Sequence, residues 1–107
     1  MIKISILYPY RKDGKFDFDY YRTRHMPRVV ELYGAQPGYR GVAVERGLGG
    51  GAPGSDPAYT AMCHILFDSL PEFAAASQVA GKELQQDIPN YTDAVPVVQV
   101  SEVVEIG

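Results

Sequence analysis

Two histidines stand alone among the side chains that titrate near neutrality in this chain, His25 and His64. Imidazole is the natural proton shuttle at physiological pH. His25 follows Tyr21 by four residues and Asp17 by eight, a spacing that puts all three on one helix face. That arrangement suits general acid/base chemistry, with a phenol or carboxylate orienting the ring. Tyr21 is the hydrogen-bonding partner expected for His25. The plainer alternative is a core histidine bonded to a backbone carbonyl that Pro27 leaves free. His64 sits in a strand and projects to the polar side of its sheet, where it reaches either a ligand or a partner subunit. Asp87, Asn90 and Tyr91 flank Pro89 in a polar turn and are expected at a pocket mouth, although turn chemistry alone explains Asn90. Eight tyrosines are present, and several at a pocket rim would suit an aromatic or other apolar ligand.

Other chemistries find less support. The histidines with Asp17 or Asp87 show no metal-ligand spacing, so no metal is expected. Either histidine could serve as an axial ligand to haem, and the cofactor question stays open. Cys63 is the only cysteine, which excludes an intrachain disulfide and a cysteine-rich zinc site. The glycines at 47, 49, 50, 51 and 54 fit no phosphate loop, because a strand follows them rather than a helix. The net charge of −3 and the absence of a basic block argue against nucleic-acid binding. No apolar run approaches the roughly 18 residues of a membrane span. Lys3 interrupts the first apolar stretch, which argues against a signal peptide, and a reducing, cytoplasmic setting is expected.

The elements that must position these groups are legible from period and punctuation. Residues 2–8 alternate, with Ile2, Ile4, Ile6 and Tyr8 on one face and Lys3, Ser5 and Leu7 on the other, as in a strand. Asp17 caps a helix whose buried stripe is Phe18, Tyr21, His25, Val29 and Leu32. Pro27 lies inside it, which predicts a kink or two abutting helices near His25 and Met26. Gly34 ends it. A second strand is expected over 39–46, a glycine-rich loop over 47–57 and a third strand over 58–67. Ser69, Pro71 and Glu72 start a helix with a capping box, running to about Ala80. Gly81 is expected to break it, with a short helical stretch over 82–88. A last strand covers 97–104.

The order βαββαβ predicts an α+β, ferredoxin-like fold over residues 1–107: one domain with a four-stranded antiparallel sheet and both helices on one face. The other face, carrying Ser5, Leu7, Ala43, Met62, His64, Leu66 and Gln99, is too apolar for water and too polar for a dry core. A homodimer packed sheet against sheet, with a ligand cavity between the sheets, is the expected solution.

Three segments also carry a family resemblance. Phe16 to Tyr21 followed by His25-Met26-Pro27, the loop Gly47 to Ser55, and Asp87 to Thr92 together resemble the EthD family along nearly the whole chain. The resemblance implies a dimeric α/β barrel. Its motif positions fall on Asp17, Tyr20, Tyr21, His25, Pro27, Asp87, Asn90 and Tyr91, with no established catalytic assignment. Members are often labelled oxidoreductases, and barrel relatives include monooxygenases and isomerases. The combined expectation is a small catabolic enzyme or accessory acting on a small apolar compound. His25 and Tyr21 would be catalytic, with His64, Tyr20, Asp87, Asn90 and Tyr91 contacting substrate. A non-catalytic carrier of a small molecule or of haem is the alternative.

Overall fold

The computed structural model describes residues 1–107. Strand β1 spans Ile2–Pro9, β2 Tyr39–Arg46, β3 Tyr59–Phe67 and β4 Val97–Glu102. They form one antiparallel sheet in the order β2-β3-β1-β4. Between β1 and β2 lie α1 (Phe18–Tyr20), a π-helical turn (Tyr21–His25) and α2 (Met26–Gly34). Helix α3 (Leu70–Asp87) and a 3₁₀ turn (Ile88–Asn90) connect β3 to β4. This is the expected ferredoxin-like arrangement.

Alternation sets the faces. Ile4 pairs with Ile65 and Val100, and Ile6 with Cys63 and Val98, so these side chains share the helix-facing side. Ser5 pairs with His64 and Gln99, and Leu7 with Met62 and Val97, on the opposite side. The core forms where α2 and α3 lie on the first side, around Ile4, Val29, Tyr33, Cys63, Ile65, Phe67, Ala76, Ala80 and Leu84. Gly41 adopts a φ of 127° where the β2–β3 register shifts between Tyr39 and Gly41, a bulge that only glycine enters without strain. No helix is long and apolar enough to cross a membrane.

Helix α3 corrects one expectation. It runs unbroken from Leu70 to Asp87, straight through Gly81. A glycine costs about 1 kcal/mol against alanine inside a helix. Ala80 and Leu84, both buried on either side of it, anchor that turn to the core and outweigh the cost. Ser69 caps the helix as expected, its hydroxyl accepting from the Glu72 N–H and donating to the Glu72 carboxylate. The last strand ends at Glu102, short of Val104.

Candidate active site

Pro27 shapes the helix that carries His25. It has no N–H to donate to the Thr23 carbonyl, and its ring would crowd that group in a regular helix. The chain widens instead: Met26 N–H reaches back five residues to the Tyr21 carbonyl, and the turn from Tyr21 to His25 is π-helical. Asp17 starts the element, its carboxylate accepting the Tyr20 N–H at 3.0 Å. The wider turn lays the Tyr21 and His25 rings nearly parallel, 5.6 Å apart and tilted by 14°.

His25 is buried, and its Nδ1 lies 2.8 Å from Asp87 Oδ2. An ionised carboxylate only accepts, so Nδ1 carries the proton and donates it. Asp87 is itself fixed. Its Oδ1 accepts from the Tyr20 hydroxyl at 2.6 Å and from Asn90 Nδ2 at 2.9 Å. Partial burial works to raise the Asp87 carboxyl, but hydrogen bonds from Tyr20, Asn90 and His25 outweigh it and hold the group below the usual carboxylate range. Burial pulls His25 below its ordinary value of 6.5, against the opposing hydrogen bond and charge of Asp87. The imidazole is therefore neutral at pH 7, with an unprotonated Nε2.

Behind Nε2, 3.5 Å away, lies the Tyr91 hydroxyl, which is hydrogen-bonded in turn to the Tyr8 hydroxyl. Burial pushes Tyr8 up to about 12 and raises Tyr91 further, so both phenols stay protonated donors. Tyr8, Phe16, Tyr21 and Tyr91 pack edge-on or tilted with ring centres 5.0–5.9 Å apart, each contact worth about 0.5–1.5 kcal/mol beyond burial. The Asp17 N–H donates to the Tyr91 carbonyl at 2.7 Å, Phe16 forms a bridge with Thr92, and the Thr92 hydroxyl donates to the Lys15 carbonyl. This strap, following the α3 turn, holds Tyr91 against His25.

These groups meet a cleft of about 620 Å³ between the sheet and the helices. Its walls are mainly apolar: Ile6, Met26, Val29, Ile65, Leu84, Ile88 and Val98 line it, with Tyr8, Tyr21, His25 and Cys63. Burial pushes the Cys63 thiol up to about 12, so it packs as a small apolar group. One side stays open along β4, where Val98 is 59% and Val100 46% exposed although both point to the helix side.

The structure sorts the expected site residues into three places. His25 and Tyr21 line the cleft. Asp87 and Tyr91 contact His25, Tyr20 and Asn90 hold Asp87, and none of the four lines the cleft. His64 lies across the sheet, its Nδ1 2.8 Å from the Ser5 hydroxyl and its Nε2 3.1 Å from Glu45. Tyr21 does not hydrogen-bond His25 as expected: it stacks, and its hydroxyl is the one buried side-chain polar atom with no partner. Asp87 takes the orienting place. The backbone carbonyl considered as the partner of His25 is likewise not used. The cleft beside His25 lies between helices and sheet, across the sheet from the mixed face on which an inter-subunit cavity is expected. Tyr8 and the cleft-lining Met26 and Leu84 were not singled out from the sequence; a phenol ending the apolar face of β1 is the one signal that marks Tyr8.

A domain model described as EthD matches residues 13–94. An EthD-like protein from Ralstonia eutropha is 45% identical; the match covers 97% of this chain and 92% of that one, with a TM-score of 0.89. An EthD family protein from Bacillus halodurans shares 23% identity over 95% of this chain and 97% of its own, at a TM-score of 0.72. SnoaB, a cofactor-independent oxygenase from Streptomyces nogalater, is 9% identical with coverages of 98% and 93% and a TM-score of 0.66, a likeness of fold alone. No curated protein matches the chain. With the domain model spanning His25 and Asp87 alike, and the Ralstonia relative covering both chains almost end to end, this chain belongs to the EthD family.

Proposed function

We propose that the protein is a small enzyme that moves a proton on an apolar compound held in the cleft, with His25 as general base and then acid. The observation that carries this reading is the Asp87–His25 pair at 2.8 Å. A carboxylate fixed by Tyr20 and Asn90 selects one imidazole tautomer and leaves Nε2 unprotonated, a base whose long 3.5 Å contact with the Tyr91 hydroxyl a substrate proton would replace. The neutral Tyr8 hydroxyl, which lines the cleft, supplies a donor that does not compete for the proton, and Tyr91 links it to the imidazole. Tyr21 contributes a flat wall. A substrate seated against the apolar lining would displace water, which strengthens these interactions. Oxidoreductase chemistry, as in the oxygenase of similar fold, stays compatible with such a base, since removal of a proton can precede attack on an oxidant.

Two identical chains pairing through the mixed sheet face complete the proposal. Leu7, Met62 and Leu66 are half-buried there within one chain, and a second copy would cover them. His64 then serves that interface, not the substrate.

2-Tetralone, an apolar ketone with acidic α-hydrogens, tests the base. In D₂O the protein should accelerate α-hydrogen exchange followed by NMR, and His25→Asn should return the rate to that of buffer while the melting curve stays cooperative. Equal exchange rates in the variant and the unaltered protein would eliminate the role of His25.

A further inference from the structure

The strap that holds Tyr91 has a second side. Thr92, Asp93 and Ala94 line the apolar cleft and also a separate cavity of about 320 Å³ at the end of the sheet. This second cavity is polar, and its charge is one-sided. Four cations line it, Arg11, Lys12, Lys15 and Arg46, against two carboxylates, Asp56 and Asp93. The whole chain carries a net charge of −3, so this excess is local.

The pairing within the cavity leaves the positive charge unspent. Asp93 is committed: its Oδ2 accepts from Arg11 at 2.8 Å and its Oδ1 from the Lys15 N–H at 3.0 Å. Ion pairs elsewhere engage Arg28 and Arg40, but Lys12, Lys15 and Arg46 have no carboxylate partner. Arg46 is nevertheless held in place, its guanidinium 4.3 Å from the centre of the half-buried Phe18 ring. A guanidinium held over a ring, with no carboxylate partner, still has N–H donors to offer a planar oxyanion. The wall beside it is built close. A side chain at Gly47 would put its Cβ 2.2 Å from the Tyr59 carbonyl oxygen, so β2 and β3 meet there only with glycine.

We propose that this cavity is an anion site, taking the carboxylate or phosphate of a small organic or inorganic anion between Arg46, Lys12 and Lys15. The proposal stands apart from the proton chemistry of the cleft. The anion has two sources: the charged end of a cleft ligand that crosses the strap, or a free small anion.

Inorganic phosphate titrated into ¹⁵N-labelled protein should shift the amides of Gly14, Lys15 and Gly47 saturably and leave Gly81, on the cleft wall, unmoved. Lys15→Ala with Arg46→Gln should weaken phosphate by about ten-fold or more, the loss expected when charge-assisted hydrogen bonds go. Lys12→Ala with Lys15→Ala serves as a second variant that keeps the Arg46–Phe18 stack. Lys82→Ala, an exposed cation on α3, should change nothing. Absence of saturable shifts, equal affinity in the charge-removal variants, or equal weakening by Lys82→Ala would overturn the site. 2-Naphthoate and 2-naphthol separate the sources. Phosphate displacing naphthoate but not naphthol identifies the charged end of a cleft ligand; phosphate binding alongside both identifies a free anion. Tetralone exchange, measured on the same variants, reports the cleft separately.

Discussion

The two histidines face opposite sides of one sheet, and both have a hydrogen-bonding group at each ring nitrogen. Their surroundings differ in stiffness. Asp87, the acid on His25, is held by Tyr20 and Asn90 and is 25% exposed. Glu45, the acid on His64, is 57% exposed and has no other partner. Behind His25 stands a packed wall of phenols; behind His64 stands only the short, buried Ser5 hydroxyl. A histidine and a carboxylate in contact are thus not enough. What distinguishes a preorganised base is whether the acid has its own supports and whether the ring is desolvated.

The largest effect should come from exchanging the imidazoles for amides. His25→Asn is expected to lower tetralone exchange by about 10²–10⁴-fold, whereas His64→Asn should leave it within about two-fold. Comparable losses in both variants would erase the distinction.

Asp87→Asn should cost less, about ten- to a hundred-fold, because the ring loses its orientation but not its base. It also shifts the pH profile in a fixed direction. A base must be deprotonated, so exchange rises with pH through the His25 pKa, which lies below 6.5. Asp87 opposes the lowering, so removing its charge should move the rising limb to still lower pH. Stability follows the same sign. Between the depressed native value and 6.5 the unfolded chain binds the proton better, so stability contributed by His25 is lost as pH falls through that window. A limb moving to higher pH in Asp87→Asn would contradict this account.

On the other face, Met62→Asp places a charge amid the half-buried residues of the mixed surface. Sedimentation at micromolar concentration should show pairs for the unaltered chain and single chains for the variant, with tetralone exchange largely kept. Single chains in both samples would remove the pairing.

The smallest effect belongs to Gly81→Ala. A Cβ there meets nothing closer than Ser77 Cβ at 3.9 Å, so the substitution should add about 0.5–1 kcal/mol. The melting temperature should rise by a few degrees. A fall would mean that the cleft wall needs the space glycine leaves there.

Sequence reading recovered what local rules control. Alternation at Ile2, Ile4, Ile6 and Tyr8 placed β1 and its faces, and Asp17 and Ser69 marked two helix starts by the hydrogen bonds their side chains accept. The irregularity at Pro27 followed from a missing N–H. Gly81 misled because helix propensity is a local term, and the buried Ala80 and Leu84 outvoted it. His25 was found, but its acid was not, since Asp87 lies 62 residues further along the chain and only packing of α3 beside α2 unites them. The cleft beside His25 was not foreseen for a related reason. Period two tells which residues share a face, not how far the helices spread over it, and they leave β4 uncovered.

The π-helical turn has a consequence for how this helix tolerates change in length. Such a turn holds one residue more than a regular coil of the same rise. Deleting one residue between 21 and 25 would therefore restore regular winding with little rotation of the flanking turns, whereas the same deletion inside α2 would swing everything beyond it by about 100°. The wide turn is thus the one stretch of this element that can lose a peptide unit, at an exposed position such as Arg22, and still present α2 to the sheet as before.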